Sequence, residues 1–151
     1  MAEYLSNAVQ AVSLNEPILF NDSIPCNRGC VFHEDGTGIF TLRGVTNGNA
    51  CNCFARYQLV FNGNIALPDD GTVAPIAIAI SVQGEPRQTS RAIFTPAAVD
   101  EYGNVTSTAI ITVPRGCCFT ASVRAVAASV TETPAPVINV QNANLVINRV
   151  A

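Results

Sequence analysis

The sequence of 151 residues has few chemically reactive groups and no visible cluster of them. It contains a single histidine, His33, no tryptophan and no lysine, because all eight basic residues are arginine. The eleven carboxylates are scattered, and none of their spacings matches a motif for a metal, a phosphate or an activated nucleophile. These absences argue against an enzyme, and we expect no catalytic residue, no cofactor and no bound metal.

Charge is also scarce along the chain. Charged residues make up 13% of the sequence, about half the usual share in globular proteins. The net charge of −3 and the dispersed arginines argue against nucleic acid as a partner. A surface so poor in charge is weakly protected against self-association. We therefore expect the chain to bury part of its surface against copies of itself.

Long apolar runs and targeting signals are missing as well. No apolar run approaches the ~20 residues that a membrane helix needs, so no membrane partner is expected. The residues after Met1 provide neither the basic start nor the apolar core of a signal peptide. We expect a protein that is made in a cytoplasm.

The sequence does contain repeated short segments in which apolar residues alternate with polar or small ones. Alternation is clearest over residues 54–61 and 75–82, and Gly, Pro, Asn and Asp separate these segments from the next. Alternation with period two predicts strands with one buried face. Over 75–82 large residues alternate with small ones, which predicts a strand covered on both faces, by a second sheet or by a neighbouring subunit. The inward-facing side chains, in the core or at a subunit interface, are expected to be Tyr57, Leu59, Phe61, Ile76, Ile78, Ile80 and Phe119.

The spacing of turn signals predicts eight to ten strands and no helix, in an all-β sandwich or barrel. The dipeptide Asn62-Gly63 is the strongest turn signal and is expected to end the strand over 54–61. Residues 87–95 are expected to form one strand, and His33 is expected on a surface turn. Predicted strands near both chain ends, over 8–20 and 137–150, are expected to pair, which would close a sheet edge.

The domain prediction separates residues 1–7 from a single domain over residues 8–151. The short segment lies ahead of the first predicted strand and carries an apolar-aromatic pair, Tyr4 and Leu5, that needs burial somewhere. We predict that this segment attaches the protein to a larger assembly.

Six cysteines fall into three short groups, and three interpretations of them remain open. Buried thiols acting as small hydrophobic side chains are one, disulfides formed after release from a cytoplasm are another, and a zinc site is the third. Adjacent Cys117 and Cys118 are expected to point to opposite faces of a strand. If disulfides form, the candidates are the cysteines of the two nearby groups in the first half of the chain, Cys26, Cys30, Cys51 and Cys53.

The order of several motifs resembles a known family of jelly-roll domains. The motifs are GIFTL at 38–42, YQLVF at 57–61, IAIAI at 76–80, GE at 84–85, VPRG at 113–116 and NLVINR at 144–149. Together they are similar to the tumour-necrosis-factor-like jelly roll, as found in phage head or fibre proteins and in the heads of bacterial collagen-like surface proteins. The likeness spans residues 8–151.

The resemblance implies a compact homotrimer, in which the inner sheets pack around a three-fold axis. No Gly-X-Y stalk precedes the domain, which fits a protein that sits directly on a particle. The expected function is that of a structural virion protein: a phage capsid decoration or head-fibre trimer that stabilises the virion or is displayed on its surface. Its expected partners are its own copies and the major capsid protein or another virion protein. The alternative is a receptor-binding or glycan-binding trimeric head, carried by a phage tail or by a spore-coat-like bacterial appendage.

Overall fold

The structure is a computed structural model that describes residues 2–24, 31–45, 53–129 and 134–150. Twelve strands account for most of the described chain, and one short 3-10 helix spans Gln88–Ser90. In chain order the strands are β1 (Ala2–Ser6), β2 (Gln10–Ser13), β3 (Asp22–Ile24), β4 (Val31–His33), β5 (Phe40–Arg43), β6 (Phe54–Ala66), β7 (Ile76–Val82), β8 (Glu85–Pro86), β9 (Ala92–Phe94), β10 (Gly103–Pro114), β11 (Cys118–Val126) and β12 (Val137–Arg149).

The strands form two antiparallel sheets of six strands each. The first sheet has the order β10-β6-β12-β1-β3, and β2 also pairs with β12. The second sheet has the order β4-β5-β11-β7-β8, and β9 also pairs with β7. The sheets pack face to face over one core, so the all-β sandwich expected from the alternation is what the structure contains.

The core between the sheets is built from the inward-facing residues of the alternating segments. The largest fully buried side chains include Tyr57 and Phe61 from β6, and Ile76, Ile78 and Ile80 from β7. Leu59 is fully buried too, whereas Phe119 is only partly buried and packs against the edge of this core. The six buried side chains and Phe119 therefore lie on the faces that the alternation predicted.

The two ends of the described chain pair within the first sheet. Strand β1 runs antiparallel to β12, with Ala2 opposite Ile147, and β2 pairs with the other half of β12, with Gln10 opposite Val140. The expected pairing of the chain ends is confirmed.

The prediction of a strandless segment ahead of the first strand is wrong. Residues Ala2–Ser6 form a strand of the first sheet, flanked by β12 and β3. The Tyr4 side chain is 3% exposed and packs edge-to-face on Phe40, and Leu5 is half-buried. Burial within the domain accounts for Tyr4, whereas Leu5 lies on the outer side of the sheet. Attachment through this segment stays a prediction.

The expected turn at Asn62-Gly63 is wrong as well. Strand β6 continues through both residues for 13 residues, and Gly63 faces the core. A Cβ at Gly63 would lie 2.9 Å from the Phe61 ring and 3.6 Å from Ala143 Cα, so the glycine is needed for a close approach of neighbouring groups. The glycine at position 63 is therefore explained by close packing within the strand and not by a turn.

Two further expectations change in detail. The strand predicted over 87–95 is split into β9 and the short 3-10 helix, whose Ser90 side chain hydrogen-bonds the Ile80 backbone. His33 lies in β4 with a side chain that is 1% exposed, stacked on Phe40 at 4.2 Å between ring centroids. Its Nε2 is 2.9 Å from the Thr37 carbonyl oxygen, so this histidine contributes to an aromatic cluster rather than to a surface turn.

Candidate interaction surface

The outer face of the first sheet is a broad, continuous surface. Its three longest strands, β6, β10 and β12, have 12 or 13 residues each. Their outward side chains alternate with the buried ones and are joined by those of β1. We call this surface the first-sheet face and define it by Glu3, Leu5, Phe54, Arg56, Gln58, Val60, Asn62, Asn64, Asn104, Thr106, Thr108, Ile110, Thr112, Pro114, Asn144, Val146 and Asn148.

The middle of the first-sheet face is a row of three β-branched side chains that ends at a carboxylate. Thr108, Val60, Val146 and Glu3 lie directly opposite one another on four successive strands. Both valines are half-buried in the chain alone. Directly opposite residues on one sheet face have Cβ atoms about 5 Å apart, so this row forms a flat, mainly apolar strip.

One end of the first-sheet face is a cluster of side-chain amides. Asn104 Nδ2 donates to Asn62 Oδ1 over 2.7 Å and to Asn64 Oδ1 over 3.1 Å. On the neighbouring strand, Asn144 Nδ2 donates to Glu3 Oε1 over 2.6 Å. Each amide carries both donors and an acceptor, and these bonds use only part of that capacity. The cluster is therefore able to bind further polar groups.

The opposite end of the first-sheet face is apolar. Phe54 is 38% exposed and lies directly opposite Pro114, while Ile110 on the same strand as Pro114 is 54% exposed. The Arg56 guanidinium lies 4.7 Å from the centroid of the Phe54 ring, in a cation–π contact. These side chains expose large apolar groups to solvent in the single chain.

Charge is almost absent from the first-sheet face. Among the 17 residues that define it, only Glu3 and Arg56 are charged, and Glu3 is hydrogen-bonded to an amide. A further carboxylate, Asp22, borders the face on β3, directly opposite Leu5. Interface centres in proteins are depleted of charge in the same way, whereas ordinary surfaces are not. The composition of this face is that of a surface that is covered in an assembly.

The outer face of the second sheet differs in construction. Its strands have two to nine residues. The side chains of β7 that point away from the core, Ala77, Ala79 and Ser81, are small and are themselves buried, so β7 is covered on both faces. Arg124 lies on this face and donates to Ser122 Oγ over 2.9 Å and to the Asn15 carbonyl over 2.8 Å. A positively charged side chain bound to the protein itself covers part of this face.

Of the four cysteines named as disulfide candidates, Cys53 alone lies within the described residues. Cys53 is an exposed free thiol, as are Cys117 and Cys118, and Cys26, Cys30 and Cys51 lie outside the described residues. Cys53, Cys117 and Cys118 are therefore not buried thiols, and a disulfide among the four candidate cysteines stays a prediction, since three of them lie outside the described residues. Strand β11 begins at Cys118, and Cys117 lies in the turn before it. The expectation that the two adjacent cysteines point to opposite faces of one strand is therefore wrong.

The sequence analysis identified the inward side of the strands and missed the residues that distinguish the outer face. The sequence predicts a turn at Asn62-Gly63, since Asn and Gly are common in turns, and it predicts no site at Asn64 or Asn104. The available signal was the alternation itself, which continues through Asn62 and Asn64 to Ile65.

No group of three or more His, Cys, Asp or Glu side chains that could hold a metal ion occurs in the described part of the chain. Within the same residues, no helix has the length and apolar character needed to cross a membrane.

Comparison with known proteins identifies the fold. No family model and no curated protein matches the chain. Among solved structures, it is similar to the globular domain of a zebrafish complement 1qA protein, with a TM-score of 0.61 and 14% identity over 99% of this chain and 96% of that one. It is also similar to the sugar-binding EclA C-terminal domain, with 14% identity over 95% of this chain and 80% of that one, but the TM-score of 0.37 is too low to support an argument.

The likeness to the complement domain is one of fold. Two antiparallel sheets form a tumour-necrosis-factor-like jelly-roll sandwich, which is the fold class that the sequence predicted.

Proposed function

We propose that the chain assembles as a homotrimer through the first-sheet face, and that the trimer is a structural subunit on the surface of a virus particle. In this proposal it is a phage capsid decoration or head-fibre protein and performs no catalysis. The observation that carries the proposal is the first-sheet face itself, with 17 outward residues of which two are charged.

The chemistry of this face favours copies of the chain as the partner. Around a symmetry axis identical side chains approach one another, and like charges would repel. Amides and hydroxyls avoid this problem, because an amide donates to and accepts from an identical amide. The central strip of Val60 and Val146 would then supply apolar burial. Domains of this fold typically form trimers, which is compatible with the proposal.

The position on a virion is supported by the sequence resemblance to phage head and fibre proteins. The fold is compatible with either a structural or a binding role. A structural role fits best with a surface that combines a large uncharged face and scattered arginines. The further partner in this proposal is the major capsid protein or another virion protein.

The oligomeric state is tested by sedimentation velocity of the purified chain at micromolar concentration. The proposal predicts a species of three times the 15.9-kDa chain mass. A single species of one chain mass would overturn it, and a dimer would show that the face pairs with two-fold symmetry instead.

The particle assignment is tested by purifying virus particles from cells that produce the chain. Mass spectrometry should find the chain in the particle fraction, and electron microscopy with a labelled antibody should place it on the particle exterior. Its absence from particles while it is abundant in the lysate would overturn the assignment.

A second candidate function, a glycan-binding trimeric head, is favoured by one observation, the amide cluster. Asn62, Asn64 and Asn104 present donors and acceptors of the kind that bind sugar hydroxyls. In the structural proposal this cluster is covered by neighbouring copies, whereas in the glycan proposal it is open. Binding of the wild-type trimer to a glycan array, lost in Asn104→Ala without a change of oligomeric state, would favour the second candidate.

A further inference from the structure

The end of the sandwich at which β6 begins and β10 and β12 end brings exposed thiols and arginines together. Cys53 immediately precedes β6 in the first sheet, and Cys117 and Cys118 stand at the start of β11 in the second sheet. All three are exposed free thiols, although cysteine is among the residue types most often buried. This end of the sandwich shares Arg56 with the first-sheet face, but the three thiols lie outside that face, and an inference about them does not depend on the proposed function.

Hydrogen bonds fix the backbone around these thiols. The residues from Pro114 to Cys117 form a turn closed by the Cys117 amide and the Pro114 carbonyl over 3.1 Å, with Gly116 at a φ of 75°. The Arg115 amide donates to the Cys53 carbonyl over 2.9 Å, and the Gly44 amide donates to the Cys117 carbonyl over 2.9 Å. The thiols therefore occupy defined positions on paired backbone.

Two of the thiols lie directly opposite an arginine. Cys118 is paired with Arg43 across β11 and β5, and both side chains are exposed on the outer face of the second sheet. Cys53 is paired with Arg115, because their backbone hydrogen bond continues the ladder of β6 and β10 by one residue. Directly opposite side chains have Cβ atoms about 5 Å apart, so each thiol lies within reach of a guanidinium. Cys117 differs, since Gly44 lies opposite it.

The same end of the sandwich carries two further arginines. Arg56 and Arg149 lie on adjacent strands there, and the Val150 amide donates to the Arg56 carbonyl over 2.9 Å. No Asp or Glu occurs in residues 43–45, 53–58, 112–119 or 145–150. Positively charged side chains beside an exposed thiol raise the local concentration of an anionic reagent.

From this geometry we propose that Cys118, with Arg43 opposite, and Cys53, with Arg115 opposite, are sites of S-thiolation by an anionic low-molecular-weight disulfide of the glutathione type. The arginines attract the carboxylates of the small disulfide and hold it against the thiol. Both modification sites lie at the same end of the domain. The thiols require a disulfide as the reagent, and the guanidinium groups favour one that carries carboxylates.

The reaction is a thiol–disulfide exchange and needs no other oxidant. Cys118 gives its proton to solvent, and the thiolate attacks one sulfur of the small disulfide. A new bond joins Cys118 Sγ to that sulfur, and the bond between the two sulfurs of the small disulfide breaks. The second half leaves as a thiolate with the electron pair, so the small disulfide is reduced as the protein thiol is oxidised.

The first experiment maps the products in the wild-type chain. The folded protein is incubated with glutathione disulfide under native conditions, and peptide mass spectrometry locates the adducts. We expect glutathionyl groups on Cys118 and Cys53 before Cys117, which has similar exposure but a glycine opposite. Absence of adducts on Cys118 and Cys53, or equally rapid modification of Cys117, would overturn the proposal.

The second experiment tests the role of the arginines. Arg43→Gln should slow the modification of Cys118 by glutathione disulfide about threefold to tenfold, since local charge raises encounter rates by at least that much. The rate with the uncharged 2-hydroxyethyl disulfide should change far less, and added salt should reduce the difference between the two reagents. The control is Arg87→Gln, which removes an exposed arginine that binds the Ile110 carbonyl on another part of the surface. Equal rates for Arg43→Gln and the wild type would overturn the proposal, and circular dichroism of each variant verifies that the fold is retained.

Discussion

The two sheets of this sandwich contribute to the same core and present different outer faces. The first sheet has three strands of 12 or 13 residues, whose outward side chains are amides, hydroxyls and apolar groups. The longest strand of the second sheet has nine residues, and Arg124 covers part of its outer face by binding Ser122 and the Asn15 carbonyl. Both sheets thus contribute side chains to one core, while only the first sheet has a long outer surface with few charges.

The difference separates two kinds of substitution. A change on an inward side chain of either sheet should affect folding, because both sheets share one core. A change on an outward side chain should affect assembly only in the first sheet. The expected effects below run from the largest to the smallest.

The largest effect is expected from a charge placed in the shared core. Ile78→Arg would bury a guanidinium at a position that is 0% exposed in β7. An unpaired buried charge should lower the free energy of unfolding by about 4 kcal/mol or more. Thermal denaturation followed by circular dichroism measures this loss. The control is Ile93→Arg in β9, where the isoleucine is 54% exposed and the midpoint should change little. An unchanged midpoint for Ile78→Arg would contradict the placement of β7 in the core.

A smaller loss is expected where β6 passes through the position of the expected turn. In Gly63→Ala the new methyl group would lie 2.9 Å from the Phe61 ring, and the ring would have to move. Overpacking of this kind costs about 1–3 kcal/mol. Urea denaturation provides the measurement, and a variant as stable as the wild type would mean that β6 does not pack closely at this point.

A still smaller effect is expected from the amide cluster. Asn104→Ala removes the donor that bridges Asn62 and Asn64. Two exposed hydrogen bonds should contribute about 1 kcal/mol to the free energy of unfolding. Thr106→Ala, on the same strand and the same face, is the matched control. A loss in the control equal to that in Asn104→Ala would show that the amide bonds have no stabilising role.

The smallest effect is expected from reducing agent. Cys53, Cys117 and Cys118 are exposed free thiols, so dithiothreitol has no disulfide to break at these positions. The thermal midpoint should move by less than about 2 °C, which is below the shift that 1 kcal/mol causes in a domain of this size. A larger fall would reveal stabilising disulfides among Cys26, Cys30 and Cys51.

The fold could be predicted from the sequence because alternation reports which side chains are buried. Ile76, Ile78 and Ile80 alternate with small residues, and this pattern predicts a strand. Both faces of β7 are buried in the structure. Alternation does not report how far a strand continues. For that reason Asn62-Gly63 was interpreted as a turn, although packing of Gly63 against Phe61 keeps β6 continuous.

The candidate surface was harder to predict, because it depends on which strands are neighbours. The amide cluster joins Asn104 to Asn62 and Asn64, which are 42 and 40 residues away along the chain. Only the pairing of β6 with β10 brings these amides together. Burial of Tyr4 has the same origin, since the N-terminal strand is held by β12 from the far end of the chain. Long-range pairing of this kind leaves no local signal in the sequence.

The central claim is that the first-sheet face, and not the second, holds the trimer together. Its most direct test is sedimentation velocity of two matched variants, Val60→Asp on β6 and Val126→Asp on β11, both at half-buried outward positions. Three carboxylates introduced near the axis should dissociate the Val60→Asp trimer into folded chains of 15.9 kDa, while Val126→Asp should retain three times that mass. If Val60→Asp remains trimeric, or if Val126→Asp is the variant that dissociates, the assignment of the first-sheet face is contradicted.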